Sequence, residues 1–427
     1  MKTTSMEQQI KFLVVGQIFS QIAIQMVWFA IGIWIWSKSH STTDMLLLGA
    51  ISTTIRTVSS LFVGSFVDKN KNRTLFLISD FILFGITLCC LFLYKVESLD
   101  LVYTVPLAAL SGLAEAILLP NISSLIARNI SKEKYIKFNG LASLIDSTAV
   151  LISPLLAGAL LGLFNISLVF ILSSTLIVMA LAVTYGFKEQ NTVASFKLSS
   201  NLLKEAIKGL HLISSHRHLR FDLIRATLIN FFATIGISLI NPFILSQTTG
   251  SEAVLSRVRF FMGFGGVVGG LVISHLAPQK NKLYFSSLYT ILLFGIGMIP
   301  LSTTKNHYIW YISSFALIFF IPFVGAISSS LWQQKVPKNY QGRIFSFRRL
   351  IIQSSIPLAM FVAGPVTDEL EKIFSRNYLI LSAHGMLIAS SAVCGILVSL
   401  IFISLKAYRQ FEHIEEIKIY EDSTLRL

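Results

Sequence analysis

The sequence predicts an all-α membrane protein, with twelve transmembrane helices in two pseudo-symmetric six-helix bundles. Three observations predict it. Of the 427 residues 54% are hydrophobic and only 13% charged, and the mean hydropathy is +0.71, whereas soluble domains carry about 25% charged residues. The apolar residues gather into twelve runs, at about 12–36, 44–66, 74–94, 101–125, 138–161, 165–187, 221–246, 255–277, 283–302, 308–332, 344–366 and 378–405. Most exceed the ~20 residues that cross ~30 Å of hydrocarbon at 1.5 Å per residue. Finally, the pattern from Ser124 through Lys132 to Phe138 returns 206 residues later, from Ser330 through Lys338 to Ile344, and the same offset carries Gly158 onto Gly364. Duplication of a whole membrane half is the mark of a transporter whose halves rock about a central site.

The first run opens without a cleavage site, so it is expected to stay as an anchor. Gln17, Gln21 and Gln25 recur there at i, i+4 and i+8 and share one helix face. Amides facing lipid are costly, so the stripe looks either into a substrate cavity or into a helix interface. Arg56 lies about twelve residues below the outer end of the second run, Glu115 near the middle of the fourth, and Asp146 eight to ten residues above the inner end of the fifth. An ionisable group at such depth costs roughly 2.5–3.5 kcal/mol on insertion scales. Two acids and one base at a common depth form either a proton-coupling cluster, with Asp146 the principal carrier, or a structural ion pair.

The second and third runs are joined by Gly64-Ser-Phe-Val-Asp68-Lys69-Asn-Lys71-Asn-Arg73. Gly64 permits close helix approach, and Asp68 suits the positive N-terminus of a neighbouring helix, the ingredients of a gating latch. Asp80, about one and a half turns inside the third run, is expected to support the latch through Arg73 or Arg128. Residues 188–220, rich in Lys, Ser and His, divide six runs from six, and 206–212 look amphipathic. The expected bounds are a first bundle at 1–187, a linker at 188–220, a second bundle at 221–405 and a charged tail at 406–427.

In the second half, Asn230, Phe231 and Asn241 offer an amide-and-aromatic wall opposite the glutamines, suited to a bulky amphipathic ligand. Asp222 and Arg225 form an i,i+3 pair that reads as interfacial. Gly265, Gly266, Gly269 and Gly270 make overlapping small-x-x-x-small pairs that read as close packing. The copy of the latch has lost its acid, with Ala277 in its place.

The net charge of +14 is a topology signal. With both termini cytoplasmic, 26 of the 35 Lys and Arg fall in cytoplasmic segments, seven in outer loops and helix ends, and two, Arg56 and Arg225, within helices. That asymmetry obeys the positive-inside rule and argues against nucleic-acid binding. Cys89, Cys90 and Cys394 lie inside apolar runs and read as small hydrophobes. Without a Gly-Lys dipeptide there is no Walker A loop, so energy comes from a gradient or from a partner subunit. No enzyme chemistry, cofactor or metal is called for, and a monomer is expected.

The loop 64–73 resembles the signature G-x-x-x-D-R/K-x-G-R-R/K of the major facilitator superfamily, with Lys71 and Asn72 as departures. Gln333, Lys335, Gly342, Arg343, Phe345 and Ser346 resemble the loop before helix eleven in its macrolide-efflux-like and enterobactin-exporter-like branch. Gly16-Gln17, Asp80 and Ser153-Pro154…Ala157-Gly158 resemble that branch too. The resemblance covers essentially the whole chain and brings Gly342 and Arg343 into the expected latch. It implies a transporter of the bacterial cytoplasmic membrane that exports a hydrophobic or amphipathic small molecule, such as a macrolide-like drug, by proton antiport. Export of an endogenous metabolite such as a siderophore is the nearest alternative, and a non-transporting membrane sensor or assembly partner is the alternative of another class. Two departures weigh against the usual proton route: the weakened Ser-Pro-x-x-Ala-Gly stretch, and Ala108 where many antiporters carry an Arg.

Overall fold

In a computed structural model, the described residues are 6–130, 134–188, 213, 215–248, 250–276, 281–374 and 382–413, apart from certain side chains inside helices. Helices cover each of the apolar runs. In the first half they are α1 (Met6–Ser39), α2 (Thr42–Lys69), α3 (Asn72–Lys95), α4 (Leu101–Asn129), α5 (Tyr135–Leu163) and α6 (Ile166–Gly186). In the second half they are α7 (Arg217–Gln247), α8 (Glu252–His275), α9 (Lys282–Thr303), α10 (His307–Lys335), α11 (Lys338–Phe374) and α12 (Ala383–Ser404). A short α13 (Lys406–His413) follows. A π-helical turn, Leu293–Met298, interrupts α9, and Phe320 breaks α10 ahead of Pro322. Among the described residues, ten helices are long and apolar enough to cross a membrane.

Helix starts follow a rule of position. On the face where the α1–α2 turn lies, hereafter the loop face, α2, α6, α8, α10 and α12 each begin on a side chain that accepts from an orphan backbone N–H, and α4, whose cap position is Asp100, is the exception. The acceptors are Ser41, Asn165, Ser251, Asn306 and Ser382. The opposite, terminal face carries the start of α1 and all of α13. The turn into α8 bends through Gly250 at φ +89°, a conformation that favours glycine.

The helix pairings display the duplication. In the first half α1 packs on α5 and α6, and α2 on α4. In the second half α7 packs on α11 and α12, and α8 on α10, which is the same set advanced by six helices. The bundles meet along α2–α11 and α5–α8, and these contacts exchange under the same operation. Glycines set the closest approaches. A Cβ on Gly112 would stand 2.2 Å from the Ser52 carbonyl oxygen between α4 and α2. One on Gly265 or Gly269 would stand 2.2 Å from the Phe315 or Phe319 carbonyl between α8 and α10, whereas Gly270 meets nothing within 4 Å. The repeated pair Gly158 and Gly364 sits at the two bundle crossings, against Ser256 of α8 and Thr43 of α2.

One apolar core joins Ile33, Trp36, Met45 and Leu46 to residues of α7 to α12, and so welds the bundles near the loop face. A second fills the first bundle around α1, α3 and α6. Large apolar side chains such as Phe12, Phe81, Phe92, Val102 and Ile312 remain exposed on the periphery, as lipid-facing helices require. The described start of the charged tail is the helix α13, which folds back: Tyr408 and Phe411 are buried in a cluster with Trp332. Residues 206–212, Ala277 and 414–427 lie outside the described residues.

Candidate functional site: a charged cavity between the bundles

A cavity of about 250 Å³ lies where the bundles face each other, lined by Trp28 of α1, Met45 to Arg56 of α2, Glu115 of α4, Ser238 and Asn241 of α7, Arg259 of α8 and Met360 of α11. Its depth follows from helix geometry. Arg56 and Glu115 each lie fourteen residues from the loop-face start of their helices, about 21 Å along the axis. The structure brings them together, with Arg56 Nη1 donating to Glu115 Oε2 at 3.2 Å. Ser111 Oγ donates to the other Glu115 oxygen at 3.1 Å and accepts from Trp28 Nε1 at 2.9 Å. Glu115 is therefore positioned by three helices.

The second bundle supplies its own charge. Arg259 Nε donates to Asn241 Oδ1 at 2.6 Å. Positive-inside counting puts Arg259 among the outer helix ends, yet Ser251 caps α8 eight residues earlier, so the Arg259 backbone lies about 12 Å along the helix from its loop-face start. The cap was the signal that could have moved Arg259 from the interface into the membrane.

The other candidates are distributed as follows. Asn241 lines the cavity, but the Asn230 amide donates to Ile352 O at 3.0 Å and Ser355 Oγ at 2.8 Å, tying α7 to α11. Phe231 packs edge-on against Phe232. Gln17 is buried and donates to Asp80 Oδ2 at 3.0 Å; Gln21 is buried and Gln25 half-buried. Asp80 also accepts from Ser20 at 2.7 Å and Thr184 at 3.5 Å, so it joins α3 to α1 and α6, with neither Arg73 nor Arg128 on it. Arg73 instead donates to the Tyr185 carbonyl at 2.7 Å and covers that ring. The side chains of Asp68, Lys69, Asp146 and Arg343, and the surroundings of Gly64 and Gly342, are not described; the backbones of all six are helical, within α2, α5 and α11.

Two further assemblies carry structure that periodicity does not reveal. At the terminal face Asn72 and Asn121 form a buried amide pair, with bonds of 2.7 to 3.0 Å that include each other's carbonyls, and Arg128 reaches Asn72 and Val67. Asn72 thus replaces the expected basic residue with a helix-to-helix clasp. Asp222 and Arg225, expected at the interface, are both only 1% exposed: Asp222 accepts from Arg225, Tyr408, Trp332 and Ser328, knitting α7 to α10 and α13. Burial behind α13, not the helix register, removes that pair from water.

The cavity is closed at the loop face. Asp368 of α11 accepts from Ser41 Oγ at 2.9 Å and from the backbone N–H of Thr42 at 2.8 Å and Thr43 at 3.0 Å, so a carboxylate of the second bundle holds the N-terminus of α2. Beside it, the buried His384 shares a hydrogen bond of 2.9 Å with Thr42 Oγ1, and its Nδ1 lies 3.0 Å from Glu371 without hydrogen-bond alignment. Trp36 packs edge-on against the His384 ring.

Comparison with known proteins agrees with this architecture. The family model described as Major Facilitator Superfamily matches residues 13–360. Macrolide efflux protein A of Streptococcus pyogenes is 20% identical over 390 residues, covering 89% of this chain and 93% of that protein. A mutant of the nucleoside transporter NupG superposes with a TM-score of 0.72 at 12% identity, covering 94% of this chain and 99% of that one. A bacterial homologue of the human lysosomal transporter Spinster, inward-facing and unoccupied, superposes with a TM-score of 0.68 at 12% identity, covering 97% and 98%. With two helix bundles of matching pairings around one charged cavity, and a family model matched over most of its length, the chain belongs to the major facilitator superfamily of membrane transporters.

Proposed function

We propose that the chain is a secondary active exporter, which moves an amphipathic small molecule across the bacterial cytoplasmic membrane by alternating access. The observation that carries this reading is the cavity itself: an Arg56–Glu115 pair and an Asn241–Arg259 pair from opposite bundles share one space with Trp28, Met45 and Met360. A molecule with an apolar body and a polar head fills such a space and touches both moving parts. The basic terminal face is cytoplasmic and the loop face is outside, so the Asp368 clasp is an outer gate. Rocking the bundles breaks that clasp and brings the latch of Gly64, Asp68, Lys69 and Arg73 toward Gly342 and Arg343. The names of the S. pyogenes relatives support macrolide-like drugs as the first substrates to try.

Protons supply the drive in this reading. Asp146 is the carrier and Glu115 and Arg56 are its modulators, because Glu115 stays paired with Arg56 while the other acid, at membrane depth, binds and releases a proton. Efflux of a macrolide from proteoliposomes under an imposed pH gradient tests both claims. Wild-type protein exports uphill, whereas Asp146→Asn loses uphill export and keeps downhill exchange. Uphill export by Asp146→Asn removes that residue as carrier, and the same assay on Glu115→Gln then decides whether Glu115 takes its place.

A further inference from the structure

Among its described lining residues the cavity holds more positive than negative charge, and the excess has an address. Arg56 is neutralised by Glu115 at 3.2 Å. Arg259 has only the neutral Asn241 oxygen, and among the described residues no carboxylate lies within 4.0 Å of its guanidinium. A cation whose backbone lies about 12 Å along a spanning helix, without a counter-charge, costs roughly 2.5–3.5 kcal/mol. A protein keeps such a group where something brings the missing charge.

Asn241 also sets the direction of the group. By accepting from Nε it engages one edge of the guanidinium and leaves the two terminal nitrogens as a planar pair of donors on a residue that lines the cavity. That fork matches the two oxygens of a carboxylate, and charge-assisted bonds of this kind are about twice as strong as neutral ones. Most of the remaining wall is apolar, with Trp28, Met45, Leu46, Leu48 and Met360, beside the hydroxyls of Ser52, Thr53 and Ser238. The volume of about 250 Å³ is just under the ~300 Å³ at which pockets for drug-sized ligands begin, so the bound body is compact.

We propose that the transported molecule is a compact amphipathic carboxylate, whose head pairs with Arg259 and whose body lies against Trp28 and Met360. The proposal keeps the export of an amphipathic molecule proposed above, sets a compact acid in place of the macrolide-like drug named there, and rests on that reading for the word "transported"; the anion site itself stands on the cavity alone. Arg259 belongs to one bundle and Trp28 to the other, so such a ligand spans the moving interface.

The test uses the full chain in lipid nanodiscs and three probes of one carbon skeleton: 4-phenylbutyrate, 4-phenylbutyramide and 4-phenylbutylamine. The carboxylate is expected to bind about tenfold tighter than the amide, the scale of one charged hydrogen bond, and the amine weakest. Arg259→Gln should abolish the preference for the carboxylate while leaving amide binding intact, which shows the cavity still folded; Arg259→Lys should restore part of it. Equal binding of carboxylate and amide by the wild type, a preference unchanged in Arg259→Gln, or no binding of the carboxylate at millimolar concentration would each overturn the proposal. Counterflow of the same probes in proteoliposomes separates the two readings. Arg259-dependent binding without counterflow refutes transport and leaves the anion site standing. Counterflow of a macrolide with no carboxylate preference refutes the anion site and leaves transport standing.

Discussion

Replacing Asp368 with asparagine should loosen the loop-face closure, and the size of the effect follows from three hydrogen bonds. Asp368 accepts from Ser41 Oγ, Thr42 N and Thr43 N at 2.8 to 3.0 Å, all in the first turn of a helix in the opposite bundle. Bonds to a charged acceptor contribute about 1.5–3 kcal/mol each when buried, and a carboxylate at a helix N-terminus adds about 0.3–1 kcal/mol. Asp368 is half-buried, so the lower ends apply. Asparagine keeps one acceptor but turns an NH₂ toward a donor, which removes about 2 kcal/mol from the closed state only. At 1.4 kcal/mol per factor of ten, the population open to the loop face rises about thirtyfold. A cysteine at Thr53 in the cavity wall, with Cys89, Cys90 and Cys394 replaced, reports that population through its rate of reaction with a membrane-impermeant thiol reagent added outside. The labelling rate should rise in the same proportion in Asp368→Asn. An unchanged rate in well-inserted protein would show that the clasp is incidental and that apolar packing alone closes this end.

The remaining predictions rest on packing and topology. Gly112→Ala drives a Cβ to 2.2 Å from the Ser52 carbonyl and should cost about 1–3 kcal/mol as a lowered Tm in detergent, while Gly85→Ala, with nothing within 4 Å, should raise Tm through about 1 kcal/mol of helix propensity. Two falls of equal size would refute the assigned α2–α4 crossing. Asn72→Ala removes the donor to the buried Asn121 Oδ1, although the Asn121 amide keeps the residue-72 carbonyl, and should lower stability by about 1–3 kcal/mol, with the double variant Asn72→Ala/Asn121→Leu recovering part of the loss. Single cysteines at Ser37 and Lys305 should react with reagent added outside intact cells, and one at Ser199 should not; the reverse pattern would invert the proposed orientation.

Much of this molecule was legible in one dimension. Bilayer thickness and the helical rise turn run length into spanning helices, and a displaced copy of one loop and one glycine turns them into two related halves. The same rise converts residue number into depth, which is why Arg56 and Glu115 stood out as groups at one level; the structure puts them 3.2 Å apart. Depth carries no information about azimuth or about which helix stands alongside. Gln17 shares a face with Gln21 yet turns to the buried Asp80 of α3, because α1 packs against α6 there and encloses the amide within the first bundle. Asn230 and Asn241 sit on one helix, but only Asn241 reaches the cavity. Asp222 and Arg225 read as interfacial from their place at the end of α7, and the returning α13 buries them. The Asp368 clasp joins residues 325 to 327 positions apart, and Arg259 meets Arg56 and Glu115 only across a cavity that exists once two bundles face each other. Hydropathy and spacing determine which segments enter the membrane and how deep each group lies, since both depend on the chain and the bilayer alone. Which groups meet was decided by helix packing, because a polar side chain inside a membrane takes the partner that neighbouring helices bring within hydrogen-bond reach.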